Sequence, residues 1–529
     1  MRHNAYWARV INFLPLLVLI TPSFAFSASR SPQGIYATID ISDYVSNQCP
    51  DTGCEAAIID LYDSMLGNRA ISGLHLEVHW DFLQPQADAA PDWTYVDDAF
   101  REAERYGKTI QLDVTAGFNS PEWLWNAQKP TGLPSCDPLF ANPPGPAPNC
   151  GTVTFSYYGE NTDQDGNGDK LVLPLPWNAT YISRWHALLI ALQSRYASNP
   201  VLVGVTMAGP TAASPEMIVP NNFNTCPNAV KGPCLQKNQW LAEDMWNVLF
   251  QRASPAYLIN SDDAFVEQWI STIDFYESLF KDITLVITPG AGTGFPSFGS
   301  GYPFTPSSGN VLYHPECDYS DTGGSTYIDH NYATRSCDAA TTILTYFLHT
   351  SGGPNRDRMA SQTAGMEASD ATSLGNFTPD GDTGDVGVPG VKYLSGYSAF
   401  LWLPSGSVAG GAQFDHAFSG GTTVQEGCPQ GAGGCSGFFP PEQAAYNVLQ
   451  TFFRGTPGAI PFGGLQLFGF LPTPRFLEVF YQDVQYAETS PAPMPITDPV
   501  TGATFQASAQ ELLDVASADL FGHLFPFRD

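Results

Sequence analysis

Residues 74–80 read LHLEVHW and residues 109–117 read TIQLDVTAG, and the alternation within these two runs decides the fold. In the first, Leu74, Leu76 and Val78 share one face while His75, Glu77 and His79 share the other. In the second, Ile110, Leu112 and Val114 oppose Gln111, Asp113 and Thr115. A period of two is the signature of a strand. Between the runs lies a helical pattern, WTYVDDAFREAERYG (93–107), closed by Gly107 and Lys108. If the apolar faces meet helices, the polar faces point into a barrel. Charged groups placed there cost several kcal/mol each unless paired, so they form either a bonded network or a site.

Working outward, further strand-like segments are GIYATID (34–40), PVLVGVTMA (200–208), ITLVITPG (283–290), RMASQTAGM (358–366), a poorly defined one within 396–418, and RFLEVFYQD (475–483). Helical patterns at 54–66, 179–197, 264–280, 440–455 and 509–522 alternate with them. Eight such alternations predict an α/β chain closed as a parallel (β/α)8 TIM barrel with long loops.

The N-terminus carries Arg2 and Arg9, then the apolar run FLPLLVLI (13–20), then the small residues Ser23 and Ala25. Such a run is too short to span a bilayer and fits a secretory signal peptide over 1–25. Residues 26–529 then form one catalytic domain, expected outside the cytoplasm, extracellular or periplasmic. Ten cysteines fall into close pairs: Cys49 with Cys54, Cys136 with Cys150, Cys226 with Cys234, Cys317 with Cys337, and Cys428 with Cys435. That spacing in an exported chain predicts five local disulfides. The formal charge of −30 argues against nucleic acid or an anionic membrane as partner and favours a neutral or weakly charged one. A monomer is expected.

The loops after the strands carry carboxylates, Trp and Pro, the groups that sugar chemistry uses. A glycosidase sets two carboxyl groups across the scissile bond, one to give a proton and one to attack or to activate water. Glu216, in PTAASPEM (210–217) beyond the fourth strand, is the expected acid. Glu367, in SQTAGMEASD, is the expected nucleophile, with Asp415 and Glu478 as alternatives. Glu77, His79, Asp81, Asp113 and Gln362 are expected to meet sugar hydroxyls, and Trp80, Trp123, Trp125 and Trp402 to stack on sugar faces. The chemistry needs no cofactor. A structural calcium ion is suggested by DQDGNGD (163–169), where Asp163, Asp165, Asn167 and Asp169 alternate as in the first half of a calcium loop, although position 174 is Pro where the closing Glu would stand.

The run HWDFLQP, DWTYVDDAF, YGKTIQLDVTAG and SPEWLW within 73–125 resembles strands two and three of the retaining (β/α)8 glycoside hydrolases, in particular the β-galactosidase branch. GPTAASPEM resembles in outline the acid-bearing loop after strand four of the β-amylases. The resemblance implies a barrel, hydrolysis of O-glycosidic bonds in a poly- or oligosaccharide, and an acid/base at Glu216. The broad clan ends strand four with an Asn-Glu pair, and this chain contains no such dipeptide. A glycan-binding barrel without catalysis and an inverting or lyase-type polysaccharide enzyme therefore stand as alternatives.

Overall fold

Strand β1 (Gly34–Asp40) is buried almost throughout and ends on Asp40, whose carboxylate accepts from the backbone N–H groups of Ser42 and Asp43 at 2.9 and 3.1 Å and so caps helix α1 (Ile41–Gln48). The computed structural model describes residues 30–49, 54–157 and 169–212 with short gaps, 261–288, 358–366, 411–414, 440–454, 476–489 and 492–520, and a few positions within 219–249 and 343–347. Helix α2 (Cys54–Gly67) leads into β2 (Ile71–His79), the short α3 (Trp80–Leu83), α4 (Thr94–Tyr106) and β3 (Thr109–Thr115). Gly107 closes α4 in the left-handed conformation, at φ 65°, where a side chain would be strained.

Next comes an antiparallel hairpin, β4 (Thr152–Tyr157) and β5 (Asp169–Pro174), then α5 (Ala179–Tyr196), capped by the Asn178 side chain, and β6 (Leu202–Thr206). Helix α6 (Ser261–Leu279), β7 (Thr284–Ile287), β8 (Met359–Met366), β9 (Gly411–Phe414), α7 (Pro441–Arg454), β10 (Phe476–Phe480) and α8 (Tyr481–Thr489) follow. A second hairpin, β11 (Met494–Thr497) with β12 (Thr504–Ala507), precedes α9 (Ala509–Leu520).

Eight parallel strands close on themselves in the order β1-β2-β3-β6-β7-β8-β9-β10. The expected barrel is therefore present, and the seventh barrel strand, β9, lies inside the 396–418 window. The alternation of β2 and β3 also holds: Leu74, Leu76, Val78, Ile110, Leu112 and Val114 join the main core. Two boundaries differ from the sequence expectation. The last barrel strand stops at Phe480 because Tyr481 already begins α8, and the β4/β5 hairpin inserts between the third strand and its helix.

Of the five expected disulfides, the one between Cys136 and Cys150 is formed. The expected link between Cys49 and Cys54 is not formed: Cys54 starts α2 with its Sγ donating to the Cys49 carbonyl oxygen, 3.1 Å away. The pairings expected of Cys226 with Cys234, of Cys317 with Cys337 and of Cys428 with Cys435 fall on six cysteines that all lie outside the described residues, as does the segment 1–25. Among the described residues no helix is long and apolar enough to cross a membrane.

Candidate functional site

Register places the polar side chains of the barrel in two layers. Asp40 lies beside Glu77, Glu77 beside Asp113, and Asp113 beside Thr206, so that three carboxylates occupy consecutive strands in one row near the carboxyl ends. One step toward the amino ends, Thr38 lies beside His75 and His75 beside Gln111. Function in such barrels collects at the carboxyl-terminal face.

The lower layer is a bonded network. Glu478 on β10 is fully buried and reaches across the lumen: its Oε2 is 2.9 Å from His75 Nδ1, and its Oε1 accepts from Gln111 Nε2 at 2.8 Å. Gln111 Nε2 also donates to Thr206 Oγ1 at 3.1 Å. Burial alone would lower the His75 pKa, but the adjacent Glu478 charge and hydrogen bond outweigh it and raise it to about 9. Glu478, an alternative nucleophile from the sequence, is thus an interior residue with no exposed surface.

In the upper row, Glu77 keeps about a fifth of its side chain exposed. Loss of hydration raises its carboxyl to about 7, against the opposing pull of His75 and with the support of Asp40 and Glu478. Asp113 is completely buried and is raised well above the ordinary carboxylate range, first by burial and then by Glu77. At the rim, His79 Nε2 lies 2.7 Å from Asp40 Oδ2, and this bond, opposing the effect of burial, lifts the imidazole to about 9. Asp81 is exposed at the start of α3 and is raised by partial burial. Asp40 was not singled out from the sequence; its signal is the Asp that ends GIYATID directly before a helix.

The tryptophans divide. Trp80 has no exposed surface: it packs edge-on against Trp123 at 5.9 Å and beside Trp185, and its Nε1 donates to Gln84 Oε1 at 3.1 Å. Trp123 is 5% exposed and donates to the Gln84 carbonyl at 2.8 Å. Both belong to the core, because the chain turns into α3 directly at Trp80 and into a 3-10 turn at Glu122–Leu124 that carries Trp123, and folds the rings under; a sugar has no open ring face there. Trp125 is half-buried at the edge of the same cluster.

The approach to Glu216 is held firmly as far as Ala212. Tyr181 donates to the Gly209 carbonyl at 3.3 Å, Tyr276 to the Ala208 carbonyl at 3.2 Å, and the Phe118 N–H to the Ala212 carbonyl. Gly117, at φ 67°, sits against this segment so closely that a Cβ would stand 2.0 Å from the Ala212 oxygen. The loops after the third and fourth barrel strands are therefore docked together. Glu216, Glu367, Asp415 and Trp402 lie outside the described residues, as do Asp163, Asp165 and Asn167. Glu367 follows the last residue of β8, Gln362 is within that strand, and Asp169 is the first residue of β5, opposite Tyr157.

No family model and no curated protein sequence matches the chain. Among solved structures, the catalytic domain of beta-amylase from Paenibacillus polymyxa is similar over 86% of this chain and 94% of that one, at 8% identity and a TM-score of 0.39. Endo-glycoceramidase II from Rhodococcus sp., in a cellobiose-like imidazole complex, is similar over 72% and 73%, at 13% identity and a TM-score of 0.29. At such scores the barrel assignment rests on the strand order itself.

Proposed function

We propose that the protein is an exported glycoside hydrolase whose cleft is the carboxyl-terminal mouth of the barrel. The observation that carries this reading is the row Asp40, Glu77 and Asp113, in register at the end of the barrel where the segments bearing Glu216 and Glu367 leave the strands. Of the side chains there, Glu77, His79 and Asp81 keep exposed surface and can accept from and donate to several sugar hydroxyls at once, which fixes a ring against two reacting acids, whereas Asp113, expected from the sequence to meet hydroxyls, is completely buried and does not.

In the proposed retaining course, Glu216 gives its proton to the glycosidic oxygen while Glu367 attacks the anomeric carbon and the leaving sugar departs. Glu216, now ionised, takes a proton from water, and that water cleaves the glycosyl–Glu367 ester to release the second sugar. Glu77, His79 and Asp81 are assigned to hydroxyl contacts. The leader-like start and the Cys136–Cys150 link support export. The charge of −30 supports a neutral glycan over a polyanion.

Hydrolysis by the purified protein on a panel of plant, algal and microbial polysaccharides tests the reading. Glu216→Gln and Glu367→Gln should each lower kcat by about 10²-fold or more. If both variants hydrolyse at near wild-type rate, the assignment of the two acids fails; if the wild type cleaves no glycan, the hydrolase reading fails.

A further inference from the structure

We propose that the lumen binds one divalent transition cation through His75, Glu77 and Asp113. One donor atom from each of these residues lies within 4.8 Å of the others. Zinc-type bonds to nitrogen and oxygen measure about 2.0–2.2 Å, so donors around one ion stand up to roughly 4.4 Å apart, and small side-chain adjustments close the set.

The second observation is an unmet demand. Both carboxylate oxygens of Asp113 and the Nε2 of His75 are buried and have no hydrogen-bond partner among the described residues. Buried polar atoms are nearly always paired, and a buried carboxylate without a counter-charge is among the least favourable groups a core can hold. Among the described residues, the charged groups that face Asp113 are Glu77, Glu478 and Asp40, all acidic, and the imidazole of His75. A doubly charged ion adds positive charge beyond that of the one imidazole among these four acidic groups, and supplies the missing contacts with it.

Orientation of the histidine supports the same conclusion. Glu478, itself held by Gln111, lies 2.9 Å from His75 Nδ1, Glu77 Oε1 lies 3.9 Å from the same nitrogen, and Nε2 is the imidazole nitrogen without a partner among the described residues. A carboxylate behind a ligating imidazole is the usual outer partner at metal centres, and Glu478 is here a positioning residue. One imidazole with two carboxylates is a mixed nitrogen and oxygen set, suited to Zn²⁺ or Mn²⁺ more than to Ca²⁺, which prefers oxygen throughout. The rim cluster Asp40, Asp43 and His79 is a weaker candidate, being partly exposed and having its histidine already bonded to Asp40 at 2.7 Å. The inference does not depend on the proposed hydrolysis.

Mn²⁺ added to the full-length, chelator-treated protein provides the probe, with affinity read by calorimetry and ligand type by pulsed electron paramagnetic resonance. The expected result is a bound Mn²⁺ showing imidazole nitrogen coupling that disappears in His75→Gln and persists in His79→Gln. Asp113→Asn should weaken binding at least tenfold. The segment 163–169 contains no histidine, so an ion held there shows oxygen ligands only. Absence of Mn²⁺ binding, a bound ion without imidazole coupling, or coupling that is lost in His79→Gln would each overturn the proposal. Should His75→Gln or Asp113→Asn fail to fold, Glu77→Gln, at the partly exposed member of the set, takes their place: it should weaken Mn²⁺ binding at least tenfold, and unchanged binding would overturn the proposal.

Discussion

The two ends of the barrel lumen are built from opposite materials. Toward the amino ends, the Tyr36 and Phe476 rings meet edge to face at 6.4 Å, in a small apolar cluster of their own that also takes in Val203, Val286 and Ala360. Toward the carboxyl ends, the same barrel carries Asp40, Glu77, Asp113 and Thr206. The first end is a plug that removes apolar surface from water, at about 25 cal/mol per Å². The second gathers charge whose desolvation opposes folding. Charge is tolerated at the mouth because the plug and the outer helices carry the stability, a division expected of barrels that work at one face.

The largest test of that contrast acts on the plug. Phe476→Ala should lower unfolding stability by about 3–5 kcal/mol in urea titration, while substitution at the mouth does not. A loss under about 1 kcal/mol would mean that the amino-end cluster is not a packed layer. Gly73→Ala comes next. A Cβ at Gly73 would stand 2.1 Å from the Thr109 carbonyl oxygen and 2.7 Å from Tyr36 Cε1, so strands or ring must move. We expect about 1–3 kcal/mol of destabilisation by the same titration.

Lys108, just before β3, offers a pH test at the same end. Its Nζ donates to the Asn68 carbonyl at 2.6 Å, and burial lowers its pKa to about 8, partly offset by Glu488. Below pH 8 both folded and unfolded chains carry the proton, and the folded state bears the full desolvation. Between about 8 and the ordinary lysine value of 10.5 the folded state releases it first, so stability from this group rises with pH. Discounted for the exposed part of the side chain, the rise is on the order of 1 kcal/mol. The stability difference between wild type and Lys108→Met, measured from pH 7 to 10.5, should shift by that amount; a flat difference would contradict the assignment. The smallest expected stability effect is at the mouth. Asp81→Ala should change stability by less than about 0.5 kcal/mol yet raise KM for the substrate, and an unchanged KM would remove Asp81 from the hydroxyl contacts.

Much of this contrast can be read before folding. Period-two alternation in LHLEVHW and TIQLDVTAG separates core from lumen correctly, because buried strands leave little freedom in which face goes where. Less can be read where one local pattern serves two structures. A Trp at a strand end has the same signature whether it meets substrate or the core; Trp80 goes inside because α3 begins at that residue. Glu478 looks like a free carboxylate in RFLEVFYQD, and only barrel closure brings His75 and Gln111, hundreds of positions away in sequence, into contact with it. The β4/β5 hairpin is equally hidden, since its strands pair antiparallel outside the barrel and the Gly- and Pro-rich segments around them carry no period. Cysteine spacing names Cys136–Cys150 but also suggests Cys49–Cys54, where the start of α2 fixes the direction of the second thiol.

The most direct test of the account is a crystal structure of Glu216→Gln with an oligosaccharide from the active panel member bound. The account predicts a sugar ring at the carboxyl-terminal mouth, within hydrogen-bond distance of Glu77, His79 or Asp81. An oligosaccharide seated elsewhere on the molecule, with those three side chains untouched, would contradict it.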